Sequence, residues 1–287
     1  MDKRMKVYDC FTFFNELDLL EVRLQELYDV VDYFVIAEAN MSHSGNPKEY
    51  YLLDNWERFK PWHAKMRRIA VDDFPVTDNS WVREKFQRDA LSRGLTDMAP
   101  EDIVVVSDLD EIPRADVISL IKEDENDYER YILRCPLYRY RFNYMKWHEV
   151  IVNHTIIVTR GRAFTNPEKE RDFTHDWIPK PEGADYTFVD HGGWHFSYLG
   201  DDENARHKLR NFAHTEQNIP EIVDVLDINW MIRNKCGPNE HQYPERFEYV
   251  QMDDYFPKCV TENLEKYQQL IIPNAQFKST DFYPVEE

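Results

Sequence analysis

The chain has 287 residues, with 35 Lys and Arg against 54 Asp and Glu, a formal charge of −19. That excess of acid argues against a general nucleic-acid binder or a binder of anionic membranes, so a phosphate-bearing ligand has to be met by a local cation. No apolar run approaches the ~18 residues of a membrane span, and the Met1-to-Lys6 start is too mixed for a signal peptide, so a soluble cytoplasmic protein is expected.

Val7 to Phe14 reads as a strand, and Asn15 with Asp18 three residues later resembles a helix N-cap and its reciprocal acid. Leu17, Leu20, Leu24 and Leu27 follow at helical spacing. The next apolar run, Tyr33 to Ala37, ends on Glu38, and a third strand is expected around Arg68 to Val71. Ser80 precedes a helix with Val82, Phe86, Ala90 and Leu91 on its expected buried stripe and Arg83, Gln87 and Arg88 on the other face. Ile103 to Val106 is continuously apolar, as a strand covered on both faces requires, and stops on Ser107-Asp108-Leu109-Asp110-Glu111-Ile112-Pro113. Pro113 suits a helix start, and Val117, Leu120 and Ile121 supply that helix with an apolar stripe. This order of strands and helices predicts an α/β fold with a mostly parallel central sheet and flanking helices.

Beyond residue 130 the pattern turns to aromatic-rich strands. Tyr131 to Leu133 and Val150 to Thr159 are expected strands, and Asn166 to Asp185, rich in proline and charge, reads as a long loop or lid. After His191-Gly192-Gly193-Trp194-His195-Phe196-Ser197, Asp201 or Asp202 can cap a helix that buries Ala205, Leu209, Phe212 and Ala213. Tyr243-Pro244, Phe256-Pro257 and a final helix near Thr261 to Ile271 are expected to wrap the body. Cys10, Cys135, Cys236 and Cys259 form no Cys-x-x-Cys pair, which points to reduced structural thiols.

The acidic stretch carries the chemistry. Ligands of open α/β sheets bind beyond the carboxyl ends of the strands, where Asp108 and Asp110 can turn hard oxygen ligands toward Mn2+ or Mg2+. A surface carboxylate pair is the ordinary alternative for Asp-x-Asp in so acidic a chain. Unpaired carboxylates beside a buried strand are costly, however, and that favours the metal.

Val7-Tyr8-Asp9-Cys10-Phe11, Asn15 to Arg23, the Val35-to-Asn40 strand end, Ser107 to Pro113 and Gly193 to Ser197 together resemble glycosyltransferase family 17, in order, from about residue 7 to about residue 270. The resemblance implies a GT-A-like nucleotide-sugar-binding fold, a UDP-sugar donor, a divalent metal, inversion at the anomeric carbon and a glycan acceptor, with GlcNAc as the sugar. It implies one domain over 1–287, with a nucleotide-binding half to about 125 and an acceptor half and C-terminal wrap beyond. Animal members are membrane-anchored, and no anchor is seen in this chain.

Under that resemblance His195 joins Asp108 and Asp110 at the metal. Glu38, Arg83, Arg88 and Lys208 are candidates for donor contact, with strand-end or salt-bridge roles as their alternatives; His214 faces the same choice. Glu203 is the first candidate for the base that takes the acceptor proton, followed by Asp190 and Glu111, with Asp201 and Asp202 also in the set. Tyr138, Tyr140, Trp147 and Trp194 are candidate sugar-stacking rings or core residues. Two other classes compete. Val105 to Asp110 also resembles the first motif of haloacid-dehalogenase-like phosphatases with Asp108 as nucleophile, although Ile112 stands where that motif has Thr. A non-catalytic carbohydrate-binding protein is the other.

Overall fold

In the computed structural model, which describes residues 4–147, 154–175, 178–237 and 245–282, the opening apolar run becomes β1 (Val7–Phe13). It is followed by α1 (Leu17–Leu27), β2 (Tyr33–Ala39), α2 (Tyr51–Asp54), β3 (Met66–Val71), α3 (Ser80–Asp89), β4 (Ile103–Val106), β5 (Glu111–Pro113) and α4 (Ala115–Glu123). The rest comprises β6 (Arg130–Arg134), β7 (Leu137–Arg139), β8 (Tyr144–Trp147), β9 (His154–Arg160), α5 (Pro167–Phe173), β10 (Tyr186–Val189), β11 (Gly193–Ser197), α6 (Asp202–Asn211), α7 (Pro220–Val223), α8 (Ile228–Asn234), β12 (Arg246–Tyr249) and α9 (Lys258–Thr261).

The larger sheet has the order β10-β6-β9-β4-β1-β2-β3. β1 runs parallel to β2 and β4, and β2 runs parallel to β3; β9 enters antiparallel between β4 and β6. Both faces are covered, which is why β4 needs apolar residues at every position. Val105 packs with Phe11 and Ile36 beneath Leu20, Leu24 and Leu27 of α1 and Ile118 of α4. Val104 and Val106 face the opposite way, toward Ala90, Leu91 and Phe173. A smaller sheet, β12-β8-β7-β11-β5, begins directly after the acidic turn, so residues 107–110 carry the chain from one sheet into the other.

Several local expectations are corrected. Glu16, not Asn15, is the residue at the head of α1; the Asn15 carbonyl accepts from the Leu17 N–H, and Asp18 pairs with Arg58 at 2.5 Å. On α4, Ile118 is buried and Leu120 is 67% exposed. Around α3, Ala90 and Leu91 are buried and Phe86 packs against the core as expected, but Val82 is exposed and Arg83, Gln87 and Arg88 are buried as well. Asn166 to Asp185 is not one long loop, because Asn166 caps α5 by accepting from the Lys169 N–H at 2.9 Å and Pro167 occupies its first turn. The final helix contracts to α9 and a short 3-10 turn at Gln268–Leu270. Residues 150–153 of one expected strand, and Tyr243-Pro244, lie outside the described residues. Asp201 caps α6 as expected, accepting from the Asn204 N–H at 3.0 Å.

Candidate active site

The acidic turn is built around one buried arginine. Arg23, on α1 and fully buried, grips Asp9 of β1 with Nε at 2.9 Å and Nη2 at 2.6 Å. Its Nη1 donates to the carbonyls of Asp108 at 2.7 Å and Glu111 at 3.0 Å, and Nη2 donates to Ser107 Oγ at 2.8 Å. The two-pronged carboxylate contact fixes the guanidinium plane, and the remaining N–H groups hold the turn's backbone. Ser107 Oγ donates to the Glu111 carbonyl at 2.9 Å, and Glu111 Oε2 accepts from the Asp108 N–H at 2.8 Å. From the smaller sheet, the Phe196 N–H donates to the Asp110 carbonyl at 2.7 Å. β11 comes so close to β5 that a Cβ on Gly193 would sit 2.3 Å from the Ile112 carbonyl oxygen, which is why glycine is needed there. Alternation along β11 then turns Trp194 and Phe196 into the core and His195 and Ser197 toward the turn.

The turn projects Asp108 and Asp110 into a cleft of about 630 Å³ between α3, α5, β11 and α6. Asp108 lies between two arginines, with Oδ1 3.3 Å from Arg88 Nη2 and Oδ2 3.3 Å from Arg171 Nη2. Burial alone would raise its pKa, but Arg171, Arg88 and Lys208 outweigh that and hold the carboxyl well below the ordinary range. Asp110 Oδ2 accepts from Lys208 Nζ at 2.6 Å, and Lys208 with His195 likewise lowers its pKa against the effect of burial. Glu111, behind them, meets Arg171 at 2.8 Å; burial pushes its carboxyl up to about 8 although Arg171 opposes the rise. Burial lowers His195 to about 4, so its imidazole is neutral at physiological pH. Its Nε2 is 4.0 Å from Asp110 Oδ1, and its buried Nδ1 has no hydrogen-bond partner among the described residues.

Asp108, Asp110, Glu111, Arg88, His195 and Lys208 therefore converge on this cleft, with His214 at its edge. Glu38 does not line it: its carboxylate accepts from the Leu52 N–H and Arg68 Nε, both at 2.6 Å, and anchors the end of β2. Arg83 is buried behind the wall, donating to the His43 carbonyl at 2.9 Å and to the Thr77 carbonyl. Glu203 points to solvent and pairs with Arg206 at 2.8 Å, while Asp190 pairs with Arg134 at 3.2 Å outside the cleft. Asp202 Oδ1 accepts from the Ile228 N–H at 2.9 Å, so it and the cap Asp201 are spent on local structure. Tyr138, Tyr140 and Trp194 are core residues, and Trp147 stacks under Arg246, whose guanidinium is 4.7 Å from its ring.

Among the residues that build the site, Arg23, Arg171 and Glu168 went unread in the sequence. Glu168 meets Arg88 at 2.6 Å and Arg171 meets Asp108, so the segment expected to be a lid instead carries a wall of the cleft. Asn166-Pro167 followed by Glu168 and Glu170 is a helix-start signature, and it was the available signal. Arg23 falls on the Leu20, Leu24 and Leu27 stripe, a position where a charged residue needs a buried partner. Among the described residues, no three His, Cys, Asp or Glu side chains already converge as a complete metal-binding group, and no helix is long and apolar enough to cross a membrane.

Comparisons with known proteins identify the family. The profile of glycosyltransferase family 17 matches residues 1–276. A rat β-1,4-mannosyl-glycoprotein 4-β-N-acetylglucosaminyltransferase is 26% identical, over 96% of this chain and 56% of its own length. The human protein of the same name is 25% identical, over 93% of this chain and 55% of its own length. The chain thus spans about half the length of these curated relatives. Among solved structures, S. aureus TarS 1-349 has a TM-score of 0.37 at 11% identity, covering 72% of this chain and 64% of that one. The mannosyltransferase PcManGT from Pyrobaculum calidifontis, in complex with GDP-Man and Mn2+, has a TM-score of 0.33 at 12% identity, covering 65% and 57%. Likenesses of that size say nothing of the reaction, whereas a family profile matched over almost the whole length does: this chain belongs to glycosyltransferase family 17.

Proposed function

We propose that the chain transfers a sugar, GlcNAc, from a UDP-sugar to a glycan hydroxyl with inversion at the anomeric carbon, and that it depends on Mn2+ or Mg2+. The observation that carries this reading is the Asp108 and Asp110 pair at the end of β4, inside the cleft and bordered by Arg88, Arg171 and Lys208. GlcNAc is taken from the names of the curated relatives.

The donor set suits a small divalent cation. Asp110 and His195 face each other across 4.0 Å, and the imidazole is neutral, the form a metal ligand needs. Asp110, His195 and the neighbouring Asp108 would hold the cation, which supplies Lewis-acid stabilisation to the departing diphosphate. The chain's own residues do the rest. Lys208, Arg88 and Arg171 place N–H donors where negative charge grows as the sugar-to-phosphate bond breaks. Arg23 keeps the backbone of the turn in register, so the two carboxylates project from a fixed position.

The phosphatase alternative is not favoured, because the family profile matched over residues 1–276 is that of a glycosyltransferase family. A non-catalytic carbohydrate-binding protein would not need the Asp108 and Asp110 pair that lines the cleft. Calorimetry of UDP binding tests the reading. Binding that needs Mn2+ or Mg2+ and disappears in chelator is expected; UDP binding of equal strength in chelator contradicts metal dependence.

A further inference from the structure

Beside the main cleft lies a second cavity of about 270 Å³, and four side chains, Glu16, Asp110, Tyr198 and Lys208, line both. Its other walls include Leu199 and the exposed Asn204 at the start of α6. It has less than half the volume of the cleft, and its amide, phenol and carboxylate groups are the chemistry that hydrogen-bonds sugar hydroxyls. It adjoins the cleft along these four residues, so a hydroxyl held there would face a donor sugar whose diphosphate sat at the acidic turn.

Building on the proposed transferase reading, we infer that this second cavity is the acceptor subsite for a saccharide ring, and that Glu16 is the base which takes the acceptor proton. Glu16 stands at the junction of the two spaces. Its Oε2 accepts from the Asn15 N–H at 3.0 Å, and its Oε1 faces Lys208 Nζ at 3.9 Å, too far for a hydrogen bond. The other carboxylates of the main cleft differ. Glu84, Glu168 and Asp108 are bound to Arg88, Glu111 is bound to Arg171, and Asp110 is bound to Lys208. Asp172 is the rival, but it lines the main cleft and not the second cavity. In the step itself, the acceptor oxygen forms a bond to the anomeric carbon. The bond from that carbon to the β-phosphate oxygen breaks, and its electron pair leaves with UDP. The acceptor's proton passes to Glu16 Oε1 and from there to solvent.

The test measures UDP released from UDP-GlcNAc in Mn2+, first with water as the acceptor and then with a panel of methyl glycosides, alongside calorimetry of UDP. Glu16→Gln is expected to lower both rates at least roughly 100-fold with UDP affinity unchanged, and Asp172→Asn to lower them far less. Asn204→Trp, at an exposed helix position, is expected to keep UDP binding and to abolish acceleration by the glycosides. Unchanged turnover in Glu16→Gln, a loss of UDP affinity that accounts for its slower rate, or the larger rate loss in Asp172→Asn instead overturns the assignment of the base. A parent protein that binds UDP but is accelerated by none of the glycosides, or an Asn204→Trp variant still accelerated by them, overturns the subsite. A parent protein that binds no UDP overturns the transferase reading on which both rest.

Discussion

Arg23 Nη1 donates to the carbonyl oxygen of Asp108 at 2.7 Å, so a fully buried guanidinium on α1 sets the backbone of the turn that presents the site's carboxylates. The same guanidinium is neutralised by Asp9, which lies on β1 next to β4. Helix, central strand and acidic turn are thereby one unit.

Replacing Arg23 by Met leaves Asp9 buried and unpaired, and removing one partner of a buried pair typically costs about 3–5 kcal/mol. Urea unfolding should show a loss of that order. The Arg23→Met, Asp9→Leu double variant should recover part of the stability, because no lone charge remains, but not UDP affinity, because the turn's carbonyls have lost the N–H groups from which they accept. A double variant that restores UDP binding would show that the turn holds itself.

A cation held by Asp110 would have to compete with Lys208 Nζ, from which Oδ2 already accepts at 2.6 Å. Lys208→Met should therefore bind Mn2+ more tightly than the parent when no nucleotide is present, and bind UDP in Mn2+ more weakly. Titration of free Mn2+ by electron paramagnetic resonance checks the first effect and calorimetry the second. Weaker Mn2+ binding in the variant would contradict the competition.

His195 supplies a pH dependence whose sign is fixed by burial. Its pKa falls from 6.5 to about 4 on folding, with Asp110 opposing the fall and Lys208 and Arg171 adding to it. Between those values the unfolded chain binds a proton that the folded chain does not, so this group makes stability rise with pH across the window and fall as pH drops through it. In metal-free buffer, the midpoint of thermal unfolding of His195→Asn should depend less steeply on pH between about 4 and 6.5 than that of the parent. Equal slopes would mean that the imidazole titrates normally in the fold.

The strands were legible because a buried parallel sheet demands continuous apolar runs, and Ile103 to Val106 followed by two aspartates satisfies that in plain view. The helices were legible in position but less so in orientation. A period of 3.6 residues marks a helix without saying which face is buried, and α3 buries its polar face as well because Arg88 reaches Asp108 while Gln87 Nε2 donates to the Ala37 carbonyl at 2.9 Å. Asp108 and Asp110 were found through their strand. Arg171 and Glu168 were not, because they reach the site from a helix about sixty residues downstream, and no local pattern encodes that contact. Glu203 was misplaced for the complementary reason: nearness in sequence to His195 does not carry it into the cleft, since α6 turns it to solvent.

The most direct test of the account compares UDP release from UDP-GlcNAc by the parent and by Asp110→Asn, each in Mn2+ and in chelator. The substitution keeps the shape of the side chain and removes one charge from the turn. The account predicts turnover in the parent that chelator abolishes, and a loss of about 10²- to 10³-fold in Asp110→Asn, the usual cost of removing an electrostatic stabiliser of a developing anion. Full turnover in chelator, or unchanged turnover in Asp110→Asn, would contradict it.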